Sequence, residues 1–227
     1  MKVEGTNHLG ANTYHYDIIQ NTDEWHQIRC GRIGGTSSNT LLVKGKTEDG
    51  LGVGAYTMMY QKVDELINGV SDVEELKNYA QQRGHDLEPV AKERYTNVTG
   101  NIVHDVGYIS QGLLFGTSPD GLINDDGGVE IKCPLGKEYV RYMDNLDIDA
   151  KYYAQVQWSM YISGRKWWDF VYFNPKFENC DIIIRRYSPS EKVFDLWNKN
   201  IKIYEQRITK IIDDYNEKRE KGYTLLL

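Results

Sequence analysis

The chain is poor in cysteine, histidine, proline and long apolar runs, and each shortage excludes something. Its three cysteines, Cys30, Cys133 and Cys180, lie far apart and form neither a C-x-x-C pair nor an even-numbered framework, so reduced thiols are expected. Five scattered histidines supply no zinc-ligand cluster. No stretch approaches the roughly 18 apolar residues that a membrane span needs. The opening residues MKVEGTNHLG lack the apolar core of a secretion signal, and a cytoplasmic location is expected. There is no fixed-period repeat, low-complexity block or proline- and glycine-rich linker. One domain over 1–227 is expected, with a core at about 22–190 and a closing helix at about 190–220.

What is present fits a soluble fold. Hydrophobic residues make up 40% of the chain and charged ones 26%, a balance that allows a sizeable core under a polar surface. Tyrosine outnumbers phenylalanine 17 to 5, which suits clefts and core edges, where an apolar ring with a polar tip is at home. The formal net charge of −6 opposes the basic footprint of a nucleic-acid binder. Distribution outweighs the sum, however, and an acidic cluster that gathers cations would itself lower the total.

Local patterns predict helices first and strands later. NTDEWHQIRCGRIGG carries a helix capped by Thr22 or Asp23 and ended near Gly31. Gly34 to Ser38 reads as a loop opening another helix, and the glycine-rich, charged stretch 43–55 as a mobile loop. A helix follows over YTMMYQKVDELING, and another from about Val73 to Asn97, with a kink or restart expected at Pro89. NIVHDVGYIS, LLFGTSPDGLI and GVEIKC are short, β-rich and bounded by Gly, Asn or Asp. In KYYAQVQWSMYISG, Tyr153, Val156 and Met160 form an apolar stripe, while Tyr152, Gln155 and Ser159 share another face. WWDFVYFNP and DIIIRRYSP read as paired strands. From Ser190 onward, Phe194, Trp197, Ile201, Tyr204, Ile208, Ile211 and Tyr215 recur at helical spacing. The apolar tail YTLLL suggests docking on something. This order implies an α/β or α+β fold with one core sheet.

The stretch GTSPDGLINDDGGVEIKCP concentrates the chemistry. S-P-D-G is a turn signal, and Asp120 alone could be turn chemistry. Glu130 and Lys132 alternate with Val129 and Ile131, so both project from one strand face, as charges on a solvated edge also would. Nine residues separate Asp120 from Glu130, enough for a turn in INDDGG to bring the two carboxylates together. Cys133 and Pro134 then stop the strand and leave Lys132 at its end, where clefts form. Metal-assisted phosphodiester hydrolysis needs such a set. Carboxylate oxygens are hard ligands suited to Mg²⁺. A bound ion polarises phosphate and lowers the pKa of a water. An ammonium two residues on can stabilise the attacking hydroxide or help to form it.

These motifs resemble the active-site signature of the P-D…(D/E)-x-K nuclease superfamily, in the branch of lambda-type phage exonucleases and related viral recombination nucleases. EWHQIRCGRIGGTSS resembles that branch's W-x-x-x-R-x-G-x-I segment. RGHDLEPVAKERY resembles its helix with G-x-x-x-E-x-x-A, and YYAQVQWSMYISG with WWDFVYFNP its Q-V-Q helix and following strand. The matches run in family order from Trp25 to Pro175.

The resemblance implies a restriction-endonuclease-like core, α/β in class, with a central mixed β-sheet flanked by α-helices. It implies Asp120 and Glu130 as metal ligands, the Ile131 carbonyl as another, and Lys132 acting on the nucleophilic water. Glu88 and Gln155 would complete the catalytic set; without the resemblance they read as a solvated helix charge and a polar helix face. Arg29, with Thr36 and Ser37, would receive a terminal 5′-phosphate, a task that suits a guanidinium fork and a loop before a helix. Alone, Arg29 reads as a surface salt bridge, and Trp25 reads as core. Gly35 and Thr36 stand where the branch often has a small residue and a serine, and Pro89 beside Glu88 departs from its pattern.

The implied activity is a Mg²⁺-dependent 5′→3′ exonuclease, with two ions and Mn²⁺ as a substitute. It would degrade one strand of double-stranded DNA from its ends and leave 3′ single-stranded tails for recombination or annealing. A ring-shaped homotrimer, a single-strand annealing protein as partner, a phage or bacterial origin and no membrane are implied with it. An endonuclease or nickase on the same core, or a non-catalytic DNA-end-binding module, are the alternatives.

Overall fold

The computed structural model describes residues 11–70 and 79–222, without the side chains of 79–81. The expected helix start near Val73, the opening decapeptide and the YTLLL tail lie outside the described residues. Among those described, no helix is long and apolar enough to cross a membrane.

Strands β1 (Asn12–His15), β2 (Tyr108–Gln111) and β3 (Phe115–Thr117) pair antiparallel in that order. Strands β4 (Gly121–Ile123), β5 (Gly127–Lys132), β6 (Trp167–Phe173) and β7 (Ile182–Tyr187) form the expected mixed sheet, in which β5 and β6 run parallel. The β-rich stretch LLFGTSPDGLI is divided between the two sheets by a bend at Ser118–Asp120, where the S-P-D-G turn signal falls. The polar start of the chain supplies β1, whose mostly half-buried residues give no apolar alternation.

A parallel pair needs a long crossover. Here α4 (Gly136–Asn145) and α5 (Ala150–Ser163) provide it between β5 and β6. α4 is not among the expected helices, although its apolar residues gather on one side and Tyr139 and Tyr142 turn inward.

The N-terminal half is helical. α1 (Asp23–Arg29) is capped by the Thr22 hydroxyl, which accepts the Trp25 N–H, and Gly31 leaves it at φ +74°. A 3-10 turn (Ser38–Leu42) stands where a helix was expected after the Gly34–Ser38 loop. Residues 43–55, expected to be mobile, are pinned instead. Lys44 bridges Leu51, and Asp49 accepts from the Tyr56 hydroxyl and from Arg207 on α6 (Glu191–Glu220). α2 (Val53–Asn68) starts from this anchored turn. α3 (Tyr79–Thr99) runs through Pro89 without the expected restart. Pro89 and His85, whose carbonyl loses its partner, are both exposed, so water can replace the bond.

Strand alternation divides the core between the two faces of the mixed sheet. Val129, Ile131, Val171 and Phe173 pack with Ala91 and Tyr95 of α3 on one face. Trp168, Phe170 and Tyr172 belong to the larger cluster with Val156 and Trp158 of α5 and Trp197 of α6. Glu130 and Lys132 alternate with Val129 and Ile131, so they project to the α5 side. α5 is buried on more than the predicted stripe. From Val156 to Ser163 it is buried all round, including Ser159, which bonds the Thr117 hydroxyl at 2.9 Å.

One polar contact ties this layer together. The buried Asp169 of β6 receives the Tyr95 hydroxyl at 2.6 Å and two nitrogens of Arg186 at 2.8 Å each. Asp169→Ala is expected to destabilise the fold by ~3 kcal/mol, because it strips a buried hydroxyl and a guanidinium of their acceptor. Arg186→Ala should cost only ~1 kcal/mol, because that side chain is 52% exposed and screened. Urea unfolding of both variants tests the order.

Candidate active site

The register of β4 and β5 brings the two acids together. Gly121 pairs with Val129, so one residue earlier Asp120 stands opposite Glu130. Asp120 Oδ2 accepts the Ile131 N–H at 2.6 Å, and the side chain thereby extends the ladder past the strand end. Glu130 is 1% exposed. Its Oε1 receives Lys132 Nζ at 2.5 Å and Gln155 Nε2 at 2.6 Å, while its buried Oε2 has no hydrogen-bond partner. Gln155 reaches down from α5 past Gly35. A Cβ at position 35 would lie 2.9 Å from Gln155 Cγ, so the approach requires glycine.

Asp120, Ile131, Lys132, Glu88 and Gln155 line a single cleft of about 730 Å³, with Glu130 bonded behind Lys132 and Gln155. Glu88 enters from α3, paired with Lys92 at 3.0 Å. Burial holds the Asp120 carboxyl well above its ordinary range; the Glu130 and Glu88 charges add to this and Lys132 opposes it. Burial raises Glu130 as well, against the pull of Lys132. For Lys132 burial acts downward, but Glu130 and Asp120 outweigh it and hold the ammonium charged. Lys132 donates to Glu130 in this arrangement.

The donor set fits a hard divalent cation. Two crowded carboxylates repel one another, and a buried Glu130 oxygen has no bond to satisfy it. Among the described residues no three His, Cys, Asp or Glu side chains cluster closely enough to hold a metal by themselves. Mg²⁺ makes no such demand: it takes one or two carboxylates and keeps several waters. Asp120, Glu130 and the Ile131 carbonyl are a set of that kind.

Arg29 and Ser37 lie elsewhere. They line a second cleft of about 680 Å³ together with Arg32 and Lys62, and Thr36 borders both clefts. Arg29 stacks on the Trp25 ring, its guanidinium carbon 3.7 Å from the centroid, and Trp25 itself is buried. Lys62 pairs with the buried Glu65 at 2.7 Å, and Glu65 also accepts the Gly31 N–H at 2.8 Å. His85 and Lys151 line the first cleft without any sequence signal to announce them. Tyr152, legible only as a neighbour of Gln155 on one helix face, lies between Lys132 and Lys151, whose nitrogens are 5.5 and 4.7 Å from its ring centre.

Residues 24–166 match the YqaJ-like viral recombinase domain. Two structures of the alkaline exonuclease LHK-Exo from Laribacter hongkongensis, one in complex with dAMP, share 26% identity with this chain. Their TM-scores are 0.77 and 0.78, and each match covers 89% of this chain and 100% of the other. A phage-related exonuclease from Haemophilus somnus 129PT is similar in fold, at a TM-score of 0.62 and 12% identity, over 81% of this chain and 96% of its own. No curated protein matches. The chain belongs to the YqaJ-like viral recombinase family and has the mixed α/β fold of the alkaline exonuclease.

The burial of Asp120 beside Glu130 has a consequence of measurable sign. With the folded Asp120 carboxyl raised above its unfolded value of about 3.9, the unfolded chain releases this proton first, and stability falls as pH rises through the interval. Asp120→Asn removes that penalty. It is expected to stabilise the metal-free protein at neutral pH by ~1 kcal/mol or more, a gain that shrinks as pH is lowered toward the ordinary carboxyl range. Thermal unfolding in EDTA across pH would show it, and equal stability of variant and wild type at neutral pH would count against the penalty.

Proposed function

We propose that the chain is a Mg²⁺-dependent 5′→3′ exonuclease that digests one strand of double-stranded DNA from its ends and leaves 3′ single strands for recombination or annealing. The observation that carries this is the meeting of two clefts at Thr36: Asp120, Glu88, Lys132 and Lys151 line one, with Glu130 behind, and Arg29, Arg32 and Lys62 line the other beside Asp23 and Glu65. A terminal 5′-phosphate seated among the cations would set the first internal phosphodiester over the acids. Arg29 suits the phosphate as a two-pronged donor, and Thr36 and Ser37 add hydroxyls. The dAMP complex of the similar exonuclease supports nucleoside monophosphates as the class of product.

Asp120, Glu130 and the Ile131 carbonyl would hold two ions, Mg²⁺ or Mn²⁺, which when bound supply Lewis acidity and a water of lowered pKa. Gln155 fixes the rotamer of Glu130 through its amide. Lys132, charged and aimed into the cleft, stabilises negative charge developing at the attacking oxygen. Glu88 adds a third acid to the cleft lining, where its carboxylate would accept a hydrogen bond from a water. By resemblance the working unit is a homotrimer, a single-strand annealing protein is its partner, and the setting is cytoplasmic.

On duplexes labelled at the 5′ end, release of label is expected with Mg²⁺ and none with EDTA. A 5′-hydroxyl end should be digested ~10-fold more slowly than a phosphorylated one, and Arg29→Ala should erase the difference. Lys132→Ala should lose at least ~100-fold in rate while still binding DNA ends, as measured by fluorescence anisotropy. Wild-type rates in Lys132→Ala, or cutting of closed circular DNA, would sink this reading. Failure to digest any DNA with either metal would favour an end-binding module.

A further inference from the structure

We propose that a third cleft, on the far side of Asp120, seats the base of the nucleotide that follows the scissile phosphate. The proposal rests on the exonuclease reading and extends it by one subsite. The cleft has a volume of about 290 Å³ and shares Gln20, Asn21, His85, Glu88 and Asp120 with the active-site cleft. The three clefts therefore follow one another, joined first through Thr36 and then through the Asp120 wall. A strand with its 5′-phosphate in the cationic cleft and its first phosphodiester over the acids continues into the third.

The chemistry of the walls selects which part of the nucleotide enters. Tyr16 and Ile19 stand at the rim, 62% and 73% exposed, and Ile18, Pro89 and Val106 extend the apolar surface. The charged groups are mostly acids. Lys92 is the only lysine or arginine among the residues that line the cleft, and it is tied to Glu88 at 3.0 Å and Asp105 at 2.9 Å. A phosphate would meet net repulsion there, whereas a flat neutral ring would meet an aromatic and aliphatic platform of the kind on which unpaired bases stack. The platform is fastened to the catalytic acid. Gln20 Nε2 donates to the Val106 carbonyl at 3.2 Å and to that of Pro119 at 2.9 Å, so the segment bearing Tyr16 and Ile19 is bound to the bend that carries Asp120.

The test measures DNA-end affinity by anisotropy with Ca²⁺ in place of Mg²⁺, for wild type and for Tyr16→Ala/Ile19→Ala. Both side chains are exposed, so the fold should survive, which circular dichroism checks. The duplexes are intact, abasic at the second nucleotide from the 5′ end, or abasic at the second nucleotide from the 3′ end. Wild type is expected to bind the 5′-side abasic duplex ~10-fold more weakly than the intact one. The variant is expected to lose ~10-fold on the intact duplex and nothing further on the abasic one. An abasic site near the 3′ end should leave both unchanged. The proposal is overturned if the 5′-side abasic site costs wild type nothing, costs the variant as much as wild type, or has its effect on the 3′-ended strand. If wild type does not release 5′ label with Mg²⁺, the exonuclease reading itself fails. If it does and the base is not sensed, this subsite alone falls.

Discussion

Burial of two carboxylates side by side disfavours their charge, repulsion adds to this at Asp120, and much of the structure around Asp120 and Glu130 answers that cost. The β4–β5 register sets the acids face to face, and the Ile131 N–H keeps Asp120 from turning away. Lys132 and Gln155 neutralise one oxygen of Glu130 and leave the other unserved. The parallel partner β6 gives this hairpin a rigid back, with Phe170 paired to Glu130 and Tyr172 to Lys132. Stability alone gives no reason to bury the pair, whereas the proposed divalent cation would.

The site's centre was legible because strand chemistry is local. A period of two puts Glu130 and Lys132 on one face, and a turn within INDDGG suffices to return Asp120 to them. Other features depend on contacts distant in sequence. The S-P-D-G turn signal marks the break between β3 and β4, but residue preference does not tell that the two pieces join different sheets. The 43–55 stretch has the composition of a loose loop, yet Asp49 is anchored to Arg207 at the other end of the chain. α4 went unread although Tyr139, Val140, Tyr142 and Met143 recur at helical spacing. Glu88, Gln155 and Arg29 stood out only through likeness to a family, since each is an ordinary helix residue by itself, and His85 and Lys151 gave no sign at all.

The acidic total no longer conflicts with a DNA substrate. A net charge of −6 says little when cationic side chains line both clefts, Arg29, Arg32 and Lys62 in one and Lys132 and Lys151 in the other. Each cleft also carries acids, Asp23 and Glu65 in the first and Asp120 and Glu88 in the second, and Thr36 marks the border. The placing of the charges matters more than their sum.

Gly34 and Gly35 are identical letters in one loop. Yet an added carbon at Gly34 would meet nothing within 4 Å, while one at Gly35 would push directly on the side chain that steadies Glu130. Room for an added carbon differs between the adjacent positions, in step with their burial, Gly35 being buried and Gly34 half-buried. A library that varied this loop for solubility would meet no steric barrier at Gly34, although that position lines the cationic cleft. At the other it would record a loss of the kind usually ascribed to the catalytic acids themselves, from a residue that carries no functional group.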